Sequence, residues 1–100
     1  ARRLPDYPDV PTAEEAGVPG YVISTWYGVF APAGTPAEIV NRVSRIVQEM
    51  ARDPGAQKRF TDIGSTPIGN TPEQFRAFIQ QQLRFWVKFF KDTGIQLQAN

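Results

Sequence analysis

The chain has 100 residues, which is enough for one small domain and too few for two ordinary ones. Its 11 basic and 10 acidic side chains give a net charge of +1, so it has no broad field to attract nucleic acid or an anionic membrane. It contains neither cysteine nor histidine, which excludes disulfides and thiolate metal sites and removes the commonest general base. We therefore predict no metal site and no cofactor.

The first twenty residues are punctuated by prolines at positions 5, 8 and 11. This spacing favours an extended path over a helix, because proline fixes φ and lacks an N–H donor. Thr12 and Glu15 then have the spacing of a capping box, which predicts one very short helix. Gly17 and Pro19 follow as stop signals. Residues 1–20 are thus predicted to be a loop with a short helix.

The segment from Tyr21 to Phe30 is the best strand candidate. Large apolar side chains alternate onto both of its faces, which is typical of a strand covered on both sides in an α/β sheet. Gly28 in its middle indicates a bend or the close approach of another group. Trp26 and Tyr27 suit either the lining of a ligand cleft or the packing of a core, because each joins an apolar ring to one polar group.

A long helix is predicted over about 36–52. Thr35 has the place of an N-cap, a proline follows it, and Glu38 has the place of a capping-box acid. The predicted apolar stripe consists of Ile39, Val40, Val43, Ile46, Val47 and Met50. Asp53 should end this helix and cap a second, shorter one that stops at Gly64.

The last predicted helix begins after Thr71 and runs to about Asp92, with Gln74 in the capping-box place. Its apolar sector comprises Phe75, Phe78, Ile79, Leu83, Trp86, Phe89 and Phe90. Gln82 falls inside this sector, so a buried Gln82 would need a hydrogen-bond partner. Such a face is typical of a core helix, although seven large side chains are many for a lone small domain. If part of the face is uncovered, the rest of a larger protein or a second copy must cover it.

No enzyme motif is present in the sequence. It lacks nucleotide-binding glycine loops, a nucleophile elbow and any histidine or cysteine nucleophile pair. The acidic pairs Asp6/Asp9 and Glu14/Glu15 are better explained as solvated and capping carboxylates than as a general acid and base. We therefore predict no catalytic residues and no enzymatic activity.

Four stretches of sequence, taken in their order along the chain, carry a family resemblance. They are LPDYPDVPTAEEAGVPGY over residues 4–21 and WYGVFAPAGTP over residues 26–36, followed by GSTPIGNTPEQF over 64–75 and KDTGI over 91–95. Together they resemble the C-terminal third of the Bug (Bordetella uptake gene) solute-binding proteins. These are also called TctC-like receptors of tripartite tricarboxylate transporters. The resemblance covers essentially the whole chain.

The resemblance implies an α/β fold, namely a C-terminal fragment of a type II periplasmic binding protein about three times this length. A few strands would pack against three main helices. Residues 1–20 would be a loop and short helix from the second lobe, residues 21–34 a crossing strand, and residues 35–100 the C-terminal helical part of the first lobe.

The resemblance also implies a function and a location. The parent protein would be exported to the periplasm, trap a small carboxylate such as a tricarboxylate or dicarboxylate between its lobes, and deliver it to membrane permease subunits. The main ligand-holding loops of the family lie in the N-terminal two-thirds, so few binding residues carry over. Thr25, Trp26 and Tyr27, on the strand beside the cleft, are the candidate ligand-binding residues.

The residues alone leave one alternative open. The chain could be an independent helical interaction module that forms a homodimer through its Phe- and Trp-rich last helix. An intact mass of the native protein near three times that of this chain would favour the receptor. A stable dimer of the chain itself would favour the module.

Overall fold

The computed structural model describes residues 2–96 and residue 98. The chain divides into two compact units, residues 1–30 and residues 31–100. The described part contains three helices and no strand. The helical half of the predicted architecture is therefore confirmed, whereas the α/β prediction of strands packed on these helices is wrong for the described part of this chain.

The first unit is built from turns. The Glu15 backbone N–H donates to Thr12 Oγ1 at 3.2 Å, and the Ala16 N–H donates to the Thr12 carbonyl at 2.9 Å. The hydroxyl thus caps one helical turn, as predicted, and this turn does not extend into a regular helix. Gly17 stops it with a φ of 97°, a value that no residue of a right-handed helix adopts.

An ion pair closes the loop of the first unit. The Arg3 Nε donates to Glu15 Oε2 at 2.8 Å, its Nη2 reaches the same oxygen, and its Nη1 donates to the Pro8 carbonyl at 2.9 Å. The pair raises the pKa of Arg3 and lowers the pKa of Glu15 below the ordinary value of 4.5, chiefly through the side-chain hydrogen bond between them.

This lowered pKa predicts how the loop responds to acid. Because the folded pKa of Glu15 is depressed, the pair stabilises the loop above the unfolded pKa, and this stabilisation is lost as the pH falls through the folded pKa. Arg3→Gln should raise the pKa of Glu15 toward 4.5, as followed by the carboxyl carbon shift in NMR. Arg2→Gln, one residue away, should leave the Glu15 titration where it is. Identical Glu15 titrations in the wild type and Arg3→Gln would contradict the pairing.

The predicted strand from Tyr21 to Phe30 is wrong for this chain, because the structure leaves the whole segment irregular and exposed. The physical reason is that a strand needs a neighbour for its N–H and C=O groups. The described residues offer no second strand to pair with it. Alternation of apolar side chains shows that a segment could pack as a strand, but it does not show that a neighbouring strand is present.

The first helix, α1, spans Ala37–Arg52 and follows the predicted bounds closely. Its N-cap is Pro36, with no side-chain cap. The predicted Thr35 cap is wrong, because the Thr35 hydroxyl donates backward to the Pro32 carbonyl at 2.7 Å. Thr35 thereby closes the preceding turn instead of the helix.

The second helix, α2, spans Pro54–Asp62, and the third, α3, spans Pro72–Thr93. The predicted caps of both are confirmed. The Ala56 N–H donates to Asp53 Oδ2 at 2.9 Å. At α3 the Gln74 N–H donates to Thr71 Oγ1 at 3.2 Å, and the Thr71 N–H donates to Gln74 Oε1 at 2.9 Å. Within the described residues no helix, even the 22-residue α3, has the length and apolarity to cross a bilayer.

Helix α1 contacts both α2 and α3. Ala51, only 8% exposed, is the one buried hydrophobic residue in the described part of the chain. The link between α2 and α3 passes over it, and a Cβ added to Gly69 would lie 2.6 Å from the Ala51 Cβ and 3.4 Å from the Gln48 Cα. Gly69 also has a φ of 61°, which favours glycine. The core of the second unit is therefore small and is centred on this close approach.

Candidate functional site

The structure places the three predicted binding residues consecutively on the irregular segment of the first unit. Thr25 is exposed, Tyr27 is 91% exposed, and Trp26 is 36% exposed. The prediction that they contact a ligand stays a prediction. What the structure adds is their accessibility.

Polar groups in this segment are available to another molecule. Among the described residues, the backbone N–H groups of Thr25 and Tyr27 donate to no carbonyl, and the Thr25 hydroxyl and Tyr27 phenol form no hydrogen bond. Residues two apart point the same way in a strand, so pairing of this segment with another strand would bring these groups to one side. Such N–H and O–H donors can either pair with a strand or bind a carboxylate.

A second feature of the first unit escaped the sequence analysis. An open depression of about 240 Å³ is lined by Arg2, Arg3, Leu4, Tyr7, Val10, Pro11 and Thr12. The Arg3 guanidinium at its edge is already occupied by Glu15 and the Pro8 carbonyl. The adjacent Arg2 and Arg3 were the only signal for it in the sequence. With Arg3 engaged, the depression is mainly apolar.

Helix α3 carries an aromatic cluster, formed by Phe85, Trp86, Phe89 and Phe90. The Trp86 ring centroid lies 5.6 Å from that of Phe89 and 6.0 Å from that of Phe90. The Trp86 Nε1–H donates to Gln82 Oε1 at 3.3 Å, so the predicted need of Gln82 for a partner is confirmed. This bond lets a half-buried amide lie within an apolar face without an unpaired oxygen.

Phe85 was missed by the sequence analysis. It lies outside the predicted apolar sector, yet its ring centroid is 5.2 Å from that of Trp86, and the residue is 49% exposed. The half-buried residues of α3 form a narrower stripe along one side: Phe75, Phe78, Ile79, Gln82, Trp86 and Phe90. The aromatic surface of α3 is thus wider than the face that the other described residues cover.

Comparison with known proteins gives the family. The family model described as "Tripartite tricarboxylate transporter family receptor" matches residues 1–95. BugT of Bordetella pertussis is 34% identical over 96 residues, which cover 96% of this chain and 29% of BugT. A protein from the tcbD–tcbE intergenic region of Pseudomonas sp. strain P51 is 34% identical over 99 residues, covering 98% of this chain and 29% of the relative.

A third relative, from the TAR-I ttuE–ttuC′ intergenic region of Agrobacterium vitis, is 31% identical over 95 residues, with 92% of this chain and 28% of the relative covered. No solved structure matches the chain significantly. The chain spans less than a third of the length of these three relatives. Since the family model matches nearly all of its residues, the chain belongs to the TctC family of tripartite tricarboxylate transporter receptors.

Proposed function

We propose that this chain is the C-terminal part of a periplasmic solute-binding receptor that feeds a membrane transporter. The observation that carries the proposal is the match of residues 1–95 to the receptor family, whose description names both a transporter and a receptor role. A receptor binds and releases its solute unchanged, which agrees with a chain that contains no catalytic motif. The partners of the complete protein would be a small solute and the permease subunits.

The solute in this proposal is a small organic acid. The chain is close to neutral, so binding would depend on local donors and ordered water instead of a broad positive field. The N–H groups of Thr25 and Tyr27, which donate to no described residue, the Thr25 hydroxyl and the exposed Tyr27 phenol are donors of the kind that a carboxylate accepts. Trp26 would add an apolar wall with one N–H.

The proposal gives residues 21–34 a role that requires the rest of the receptor. In a two-lobed type II binding protein, this segment would cross between the lobes as a strand, paired with strands supplied by the N-terminal part. The donors now left open at Thr25 and Tyr27 would then serve the sheet or the cleft at its edge. Residues 1–20 would belong to the second lobe and residues 35–100 to the first.

The experiment is a solute screen on the completed receptor, formed by co-expressing this chain with the N-terminal remainder of the receptor. Trp26 provides a fluorescence signal for titration with citrate, succinate, benzoate, glutamate and glucose. We expect saturable binding of at least one of the three carboxylates without an amino group and no response to glucose. Saturable binding of glucose alone would contradict the carboxylate assignment while leaving the receptor role intact.

A second candidate, a module that forms homodimers through α3, is favoured by one observation. Phe85 and Phe89, four residues apart on α3, are 49% and 37% exposed, and their stacked rings, with centroids 6.4 Å apart, form an apolar patch that a partner helix could cover. Light scattering during size exclusion tests it directly. A dimer that persists at low micromolar concentration and is lost in Phe85→Glu would support the module.

A further inference from the structure

Helix α1 has two apolar sides, and the described residues of the chain cover only one of them. The half-buried or buried positions are Val40, Ser44, Val47, Gln48 and Ala51. The other apolar side chains of the helix are the outer stripe, which we define as Ile39, Val43, Ile46 and Met50. Each of these four is at least 42% exposed, and Ile39 and Ile46 reach 53% and 57%.

The outer stripe is a continuous line. Its members are spaced by four, three and four residues, which places them on one side of a helix, roughly a third of a turn from the covered side. Polar residues occupy the remaining arc: Asn41, Arg42, Arg45, Glu49 and Arg52. The amphipathic pattern of α1 is therefore wider than its contact with α3 requires.

The stripe runs into a depression at the C-terminal end of α1. Met50 belongs to both, and Phe60 and Ile63 of the α2 region form the apolar part of the opposite wall. The depression has a volume of about 520 Å³, and Ile63 at its edge is 74% exposed. Asp53 and Arg59 also line the depression, so the surface is apolar along the stripe and at Phe60 and Ile63 and carries these two charges beside α2.

We infer that this surface is the seat of the N-terminal part of the same receptor, so that α1 is a helix covered on two sides in the complete protein. The length of the relatives identifies the occupant, since this chain spans only 28–29% of them and leaves most of a receptor to be placed. A helix that is apolar on more than one side is typical of one buried between two layers. The inference rests on family membership and is independent of which solute is bound.

The test uses the chain and the N-terminal remainder of the receptor, co-expressed and analysed by native mass spectrometry. We expect a one-to-one complex that Ile46→Lys weakens roughly tenfold or more, because a charge would be buried at the contact. Asn41→Lys introduces the same side chain on the polar arc and should leave the complex unchanged. Val43→Gln provides a second, uncharged change in the stripe and should weaken the complex less than Ile46→Lys.

Three outcomes would overturn the inference. One is a complex that tolerates Ile46→Lys as well as Asn41→Lys, since another surface would then make the contact. Another is a dimer of the isolated chain that Ile46→Lys dissociates, since a second copy would then occupy the stripe. The third is loss of helical circular dichroism in the isolated Ile46→Lys chain, since the stripe would then be packed within the chain itself. Failure of every solute to bind would affect the proposed function and leave this contact untouched.

Discussion

Gly69→Ala should destabilise the second unit by roughly 2 kcal/mol or more, the largest stability change expected from a single methyl group in this chain. Part of the cost is the left-handed backbone, which disfavours a side chain by about 1–2 kcal/mol. The remainder arises because the new Cβ would lie 2.6 Å from the Ala51 Cβ, so α1 and the link must separate. Urea titration monitored by circular dichroism at 222 nm measures the change.

Gly64→Ala is the matched control for this prediction. Gly64 has a φ of 76°, close to the 61° of Gly69, but a Cβ there would meet no atom within 4 Å. The control therefore carries the backbone cost without the clash. Equal losses in the two variants would show that Gly69 is needed only for its backbone conformation and that its contact with Ala51 is not tight.

Tyr27→Phe should weaken solute binding by the completed receptor about 10- to 100-fold, if the phenol donates to a carboxylate. The substitution keeps the ring and removes only the hydroxyl, and a hydrogen bond to a charged group contributes about 1.5–3 kcal/mol. Calorimetric titration with the tightest carboxylate measures the loss. The reason to choose Tyr27 is its accessibility, since it is 91% exposed.

Tyr21→Phe is the control, because Tyr21 lies at the start of the same segment and is 57% exposed. We expect its effect on affinity to be within about twofold, the range of surface substitutions far from a ligand. Equal losses at the two tyrosines would indicate a general disturbance of the segment. Wild-type affinity in Tyr27→Phe would remove this residue from the proposed site.

Local physical chemistry allowed the helices to be predicted well. Each correct boundary depends on residues within a few positions of it, such as Asp53 capping α2 and Thr71 with Gln74 capping α3. Gly94 ends α3 with a φ of 68°, and its N–H donates to the Phe90 carbonyl at 3.0 Å. The prediction that Thr35 caps α1 was wrong, although it too concerned nearby residues. The Thr35 hydroxyl can either cap the helix or donate to the preceding turn, and it donates to the Pro32 carbonyl.

Features that depend on distant residues were not predictable in the same way. Alternation in Tyr21–Phe30 indicates a strand only if another strand is there to pair with it. On α1 the predicted stripe was a single face, whereas the contact lies to one side and brings Ser44 and Gln48 to partial burial. The close approach of Gly69 to Ala51 determines which side of α1 is covered, and the periodicity of the α1 sequence contains no information about that approach.

The candidate site was predictable only as far as residue type. The sequence indicated that Trp26 and Tyr27 suit either a cleft or a core, and the structure adds the exposure of both side chains. The depression near Arg2 and the exposed ring of Phe85 were missed because no sequence motif or helical periodicity indicates either of them. In the proposed receptor the binding site lies between two lobes, and this chain spans less than a third of the length of the relatives.

The most direct measurement is a calorimetric titration of the isolated chain, the isolated N-terminal remainder and their one-to-one complex with the same carboxylate. We predict micromolar or tighter affinity for the complex alone, because in the proposed receptor both parts line the cleft that encloses the solute. The isolated chain should bind very weakly or not at all. Micromolar binding by the isolated chain, with no gain on adding the remainder, would contradict the proposal that it is one part of a two-lobed receptor.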